Sequence, residues 1–137
     1  MSQIYLLDTD TCAFILRKSS AVLLARIQTV PLQQQSMSVI TLAELLYGVQ
    51  VSSKKKMNRE GVDALVRHVN VLDWTNEAAE HYAEIRADLK KKGQHIGSND
   101  LHIAAHGRSL GATIVTNNVK DFSRVKGLQL ENWMQEK

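Results

Sequence analysis

The chain has 137 residues, 44% of them hydrophobic, and a formal net charge of +3. That length suits one domain of ordinary size, and the apolar content is that of a globular chain, not a disordered or fibrous one. No apolar run reaches the roughly 18 residues of a membrane helix, residues 1–20 lack the basic region and long apolar stretch of a signal peptide, and the single cysteine precludes an internal disulfide, so a cytoplasmic protein without membrane association is expected.

Ile4 to Leu7 reads as a short buried strand, and Asp10-Thr11 opens a helical pattern through Cys12, Ile15 and Leu16 that assigns Cys12 to the core. A second helix is expected from about Ser20. Met37 to Ile40 is another short apolar, β-branched run, and Thr41 to Gly48 turns it into a helix with Thr41 at the cap. Ser53 to Val69 places Val62, Leu65, Val66 and Val69 on one helical face, and Val69 to Trp74 then has strand character.

The clearest helix is Thr75 to Lys92. Ala78, Tyr82, Ile85 and Leu89 form its stripe, acids stand early, lysines stand late, and Gly93 ends it, in agreement with the macrodipole. Ser98 is expected to cap a helix through Leu110 that Gly111 stops. "ATIVT" at Ala112 to Thr116 is the next strand, followed by the polar turn Asn117-Asn118, and Leu128 to Leu130 supplies a last short strand. Strands alternating with helices imply crossover connections, hence an α/β sandwich whose central, mainly parallel sheet is covered on both faces.

The basic runs Lys54-Lys55-Lys56 with Arg59, Lys90-Lys91-Lys92, and Arg124 with Lys126 suit phosphate backbones, and equally suit solvated helix faces and ends. The carboxylates are more telling. Ligands of open parallel sheets bind beyond the carboxyl ends of the strands. Asp8 sits at one such end, Glu44 lies a helical turn past a second, Asn117-Asn118 follow a third, and Asp100 opens a helix that leads into the same edge. Each alone has a local explanation: Asp8 or Asp10 as a helix cap, Thr41-x-x-Glu44 as a capping box, Ser98-Asn99-Asp100 as an acidic first turn. Local capping gives no reason for three acids to gather at one edge. Acids so gathered repel one another until a proton or a cation relieves them, and hard oxygen donors suit Mg²⁺ or Mn²⁺, which activate water against a phosphodiester.

These segments resemble a PIN-domain ribonuclease, and more narrowly the VapC toxins of bacterial toxin–antitoxin pairs. The resemblance runs through "LLDTDT", "SVITLAELLYGV", "IGSNDLHIAAH", "IVTNNVKDF" and "GLQLENW", and so covers nearly all of residues 1–137 as a single PIN domain. It implies a three-layer α/β/α sandwich and an endoribonuclease dependent on Mg²⁺ or Mn²⁺. Asp8, Glu44 and Asp100 fall on the family's acidic metal-site positions. It also implies a homodimer, a VapB-type antitoxin docked over the acids, and a structured RNA substrate, commonly transfer RNA. Two departures stand out. The family usually has Asp-Thr-Asn where this chain has Asp8-Thr9-Asp10, and many of its members carry a fourth acid near the place of Asn118. Asp10 is read as a helix cap ahead of an added ligand, Asn118 as a group that orients water or ligand without charge, and Asp121 as a weaker stand-in for the missing acid.

Two other readings use the same residues. Asp8-x-Asp10 after an apolar run has the form of the nucleophile motif of haloacid-dehalogenase-like phosphatases, with Asp8 as the nucleophile, although a late acidic pair is wanting at Asn117-Asn118. A nucleic-acid-binding PIN module without activity is the non-enzymatic reading, against which all three core acids stand. His102 and His106 are four apart, but Ile103 occupies the place of the glutamate in a His-Glu-x-x-His zinc motif and no third ligand is evident, so packing is expected of both.

Overall fold

The computed structural model describes residues 3–135. Five short strands, β1 (Tyr5–Leu7), β2 (Gln35–Ser38), β3 (Asn70–Leu72), β4 (Thr113–Val115) and β5 (Gln129–Glu131), form one sheet in the order β3-β2-β1-β4-β5. Every pairing is parallel. The helices between them are α1 (Thr9–Arg17), α2 (Ala21–Gln28), α3 (Val39–Val51), α4 (Lys55–His68), α5 (Asn76–Lys91), α6 (Ser98–Leu110) and the single turn α7 (Val119–Phe122). No helix of the described residues is long and apolar enough to cross a membrane.

Two apolar layers cover the sheet, and the two-residue period of its strands divides them. Leu6 and Ile114 point into a core built with Ile85 and Leu89 of α5, Ile103 and Ala104 of α6, and Phe122 of α7. Their neighbours Leu7 and Val115 point the other way, into a core with Cys12, Leu23, Leu45, Val62 and Trp133. The result is the expected α/β/α sandwich, with α5 to α7 on one face and α1 to α4 on the other. Helix α6 approaches β4 closely: a Cβ at Gly107 would collide with the side chain of Ile114. Gly111, at φ 65°, ends α6 in the left-handed conformation that suits glycine.

The starts of α3 and α6 differ from the sequence reading. The second strand is the polar segment Gln35–Ser38, and Val39 and Ile40 already belong to the helix, because Ser38 Oγ accepts from Ile40 N and caps α3. Thr41 is therefore buried within the first turn and caps nothing, and Thr41-x-x-Glu44 is not a capping box. Gln35 is tolerated inside because its amide donates to the carbonyls of Ile27 and Val30 at 3.0 Å each. At α6 the cap position is Gly97, with no side-chain cap, and Ser98 is the first helical residue. Helix α7 was not foreseen.

Candidate active site

The chain runs outward from β1 to β2 and β3, then returns to place β4 on the other side of β1. Strand order thus reverses between β1 and β4, and a crevice opens there beyond their carboxyl ends. The ladder pairs Leu7 with Val115, and Asp8 N extends it by donating to Val115 O at 3.0 Å. Asp8 is thereby fixed at the mouth of the crevice, 1% exposed.

Asp8 is also the cap of α1: its Oδ1 accepts from Thr11 N at 2.8 Å. The cap expected at Asp10 belongs to Asp8, and Asp10 is an exposed acid of the first turn. Burial raises the Asp8 carboxyl above its ordinary value, against hydrogen bonds from Thr116 and Thr11 that favour the charge. Sequence alone therefore offered cap and site as alternatives for a residue that can serve as both.

Glu44 stands in the second turn of α3, half-buried. Thr9 Oγ1 donates to Glu44 Oε1 at 2.6 Å, and with its one proton spent there, the Thr9 oxygen accepts from Thr41 Oγ1 at 3.3 Å. Asp100, in the first turn of α6, accepts from Asn118 Nδ2 at 3.3 Å, and the same nitrogen donates to Asp121 Oδ2 at 3.1 Å. Its carboxyl is pushed up to about 6, first by burial, then by the charge of Asp8, with smaller contributions from Asp10 and Glu44. Asp100 thus feels the charges of Asp8, Asp10 and Glu44.

No ion pair among the described residues reaches Asp8, Glu44 or Asp100, whereas Asp121 is paired with Arg124 at 3.3 Å. The negative charge at the crevice is left uncompensated. Among the described residues no three His, Cys, Asp or Glu side chains are drawn into a ready-made metal cage. The donors still fit a hard cation, since Mg²⁺ commonly takes one or two carboxylates and keeps several waters. Asp121, neutralised by Arg124, is the weaker donor of the group.

Thr9, Thr116 and Ser38 were missed in the sequence, and His106 was read there only as a packing residue. Ser38 Oγ lies 2.8 Å from His106 Nδ1, and the buried His106 Nε2 has no hydrogen-bond partner among the described residues. Burial lowers the pKa of His106, which keeps the ring neutral. His102 turns away to the Ser98 carbonyl, its Nδ1 at 2.7 Å, and packs on Trp74 and Tyr82. The two histidines share no ligand position, as their reading as packing residues anticipated.

Residues 5–128 match the PIN domain. Ribonuclease VapC2 of Rickettsia felis is 40% identical over 136 residues, spanning 95% of this chain and 98% of its own. A tRNA(fMet)-specific endonuclease VapC of Shigella flexneri is 38% identical over 131 residues, covering 94% and 97%. Among solved structures, VapBC2 from Rickettsia felis bound to a DNA fragment from its promoter superposes with a TM-score of 0.91 at 37% identity, over 96% of this chain and 99% of that one. The DNA-bound VapBC of Salmonella typhimurium gives 0.91 at 35% identity, covering 96% and 99%. The dehalogenase-like reading of Asp8-x-Asp10 gives way to these likenesses.

Proposed function

The chain belongs to the PIN-domain family, and we propose that it is the endoribonuclease toxin of a VapBC-type toxin–antitoxin pair, carried on a single domain. The observation behind this reading is the uncompensated acidic charge of Asp8, Glu44 and Asp100 at the switch point of a parallel sheet. These three would hold Mg²⁺ or Mn²⁺, with Asn118 at the rim and Asp10 and Asp121 as outer acids. A divalent cation there supplies activated water and neutralises charge that builds on the phosphoryl oxygens. Asp8 is held by the Val115 carbonyl and the cap of α1, Glu44 by Thr9, and Asp100 by Asn118, so that the oxygens are oriented before substrate arrives.

RNA is the substrate in this reading, and transfer RNA is the first to try, given the relative in Shigella flexneri. A VapB-type antitoxin is the partner, and the active toxin is a homodimer. The test is the chemistry of the cut. Attack by external water does not use the substrate's 2′-hydroxyl, so an oligonucleotide with one 2′-deoxy residue at the cleavage position should still be cut. The products should carry no 2′,3′-cyclic phosphate. Cyclic ends, or full resistance of the deoxy-substituted strand, would overturn the mechanism.

A further inference from the structure

A cleft of about 440 Å³ opens between the last turns of α5, the 92–97 connection and the start of α6. Its polar wall is Tyr82, Arg86, Lys90, Gln94, His95 and Ser98, and no carboxylate lines it. Arg86 and Lys90, one turn apart on α5, stand on the same face. Among the described ion pairs neither has an acid partner, while neighbouring Lys92 is tied to Asp88 at 2.8 Å. Arg86 Nη1 donates instead to the Tyr82 hydroxyl at 3.0 Å. These are two cations on one wall whose charge nothing neutralises.

The cleft is joined to the acidic crevice. Arg124 Nη1 donates to the His95 carbonyl at 2.6 Å and pairs with Asp121; Asp121 and Asp100 share the amide of Asn118. One wall of the cleft is thus linked by three side chains to an acid of the candidate site. A polyanion led toward Asp8 and Asp100 meets repulsion there, and a cationic wall alongside is where its flanking backbone would be held.

We propose that this cleft is the subsite for the backbone phosphate of a single-stranded nucleotide flanking the scissile bond of RNA, with Arg86 and Lys90 as its anion contacts. The proposal rests on the ribonuclease reading above. The volume falls in the range of small-ligand pockets, which admits a nucleotide and not a duplex. The Tyr82 ring already packs against His102 at 4.6 Å and lies under the Arg86 guanidinium at 5.9 Å, so the cleft offers charge and not a free stacking face. Recognition here is of the backbone, whatever the base.

The test is steady-state cleavage of a single-stranded RNA by wild type, Lys90→Gln, and Arg86→Gln with Lys90→Gln. A third protein, with Lys55→Gln and Lys56→Gln, removes the same charge from α4, outside the cleft. The double variant in the cleft should raise KM roughly tenfold with kcat within about twofold of wild type, and flatten the logarithmic salt dependence of binding by about 0.7 to 1.4. Lys90→Gln should show part of both effects, in case loss of Arg86 disturbs Tyr82. Substrates trimmed from one end, and only that end, should make wild type and variant equal. Equal losses in the α4 variant, or an unchanged KM in both cleft variants, would overturn the subsite and leave the hydrolytic reading intact. Charge-dependent binding through the cleft without any cleavage by wild type would do the reverse.

Discussion

His106 Nδ1 lies 2.8 Å from Ser38 Oγ, and this contact joins the helix that carries Asp100 to the cap of the helix that carries Glu44. Ser38 Oγ already accepts from Ile40 N, so its own proton is free to go to the neutral imidazole. Both residues are 0% exposed. This pin is a directed bond between the two helices, which resists sliding more than apolar packing does.

His106→Ala should therefore cost about 2 to 4 kcal/mol in urea unfolding, from the cavity and the orphaned Ser38 hydroxyl. At a temperature where the variant is still fully folded, RNA cleavage should fall about tenfold, as for residues that orient metal ligands. His106→Asn, which keeps a polar group near the position of Nδ1, should recover part of the activity. Equal activity in all three folded proteins would show that His106 only fills space.

Thr9→Val removes the hydroxyl that donates to Glu44 at 2.6 Å and keeps the shape of the side chain. Stability should change by about 1 kcal/mol at most. Cleavage should drop about tenfold, with Mn²⁺ affinity reduced in parallel, because Glu44 is no longer held. Manganese titration followed by electron paramagnetic resonance would read the affinity directly.

The pH dependence of the metal-free fold has a definite sign. Asp100 titrates at about 6 in the folded protein against an ordinary 3.8, so the folded state takes up its proton more readily than the unfolded chain. Its stabilising contribution is complete below about 3.8 and is lost as pH rises through about 6. Asp8, also raised, acts in the same direction. In EDTA, wild type should lose stability relative to Asp100→Asn between pH 4.5 and 7; His106, which acts oppositely, is common to both proteins and cancels. Parallel stability profiles would contradict the burial and repulsion assigned to Asp100.

A divalent cation relieves the same repulsion. Titrating Mn²⁺ should raise the melting temperature of wild type, by the equivalent of about 2.7 kcal/mol at a hundred times Kd, and leave an Asp8→Asn variant nearly unmoved. Equal shifts in the two proteins would place the ion elsewhere.

Much of this was legible because the informative signals are local. Asp8 closes an apolar strand, α5 carries its acids and lysines at the proper ends, and the acids recur after successive strand–helix turns. Thr41 accords with a helix start by local pattern, and the sequence reading took it as the cap, although Ser38 three residues earlier holds that place. The choice fell to tertiary contacts: Ser38 is pinned by His106 from 68 residues away, which leaves Thr41 to be buried against Thr9. The pairs Thr9–Glu44 and Asp100–Asn118 bridge 35 and 18 residues and leave no periodic trace in the chain. The position of the acids after the strands was readable, and the hydroxyls and amide that hold them were not.

The most direct test of the acidic site is RNA cleavage by wild type and Glu44→Gln, each in EDTA and again with Mg²⁺ or Mn²⁺ restored. Glutamine keeps an oxygen to accept from Thr9, and since Glu44 belongs to no capping box, the fold should be preserved within about 1 kcal/mol. Wild type should be silent in EDTA and recover with either metal, while Glu44→Gln should stay at least about a hundredfold slower than wild type once metal is restored. Cleavage by wild type that persists in EDTA, or a Glu44→Gln protein that cuts RNA at nearly the normal rate, would contradict the account.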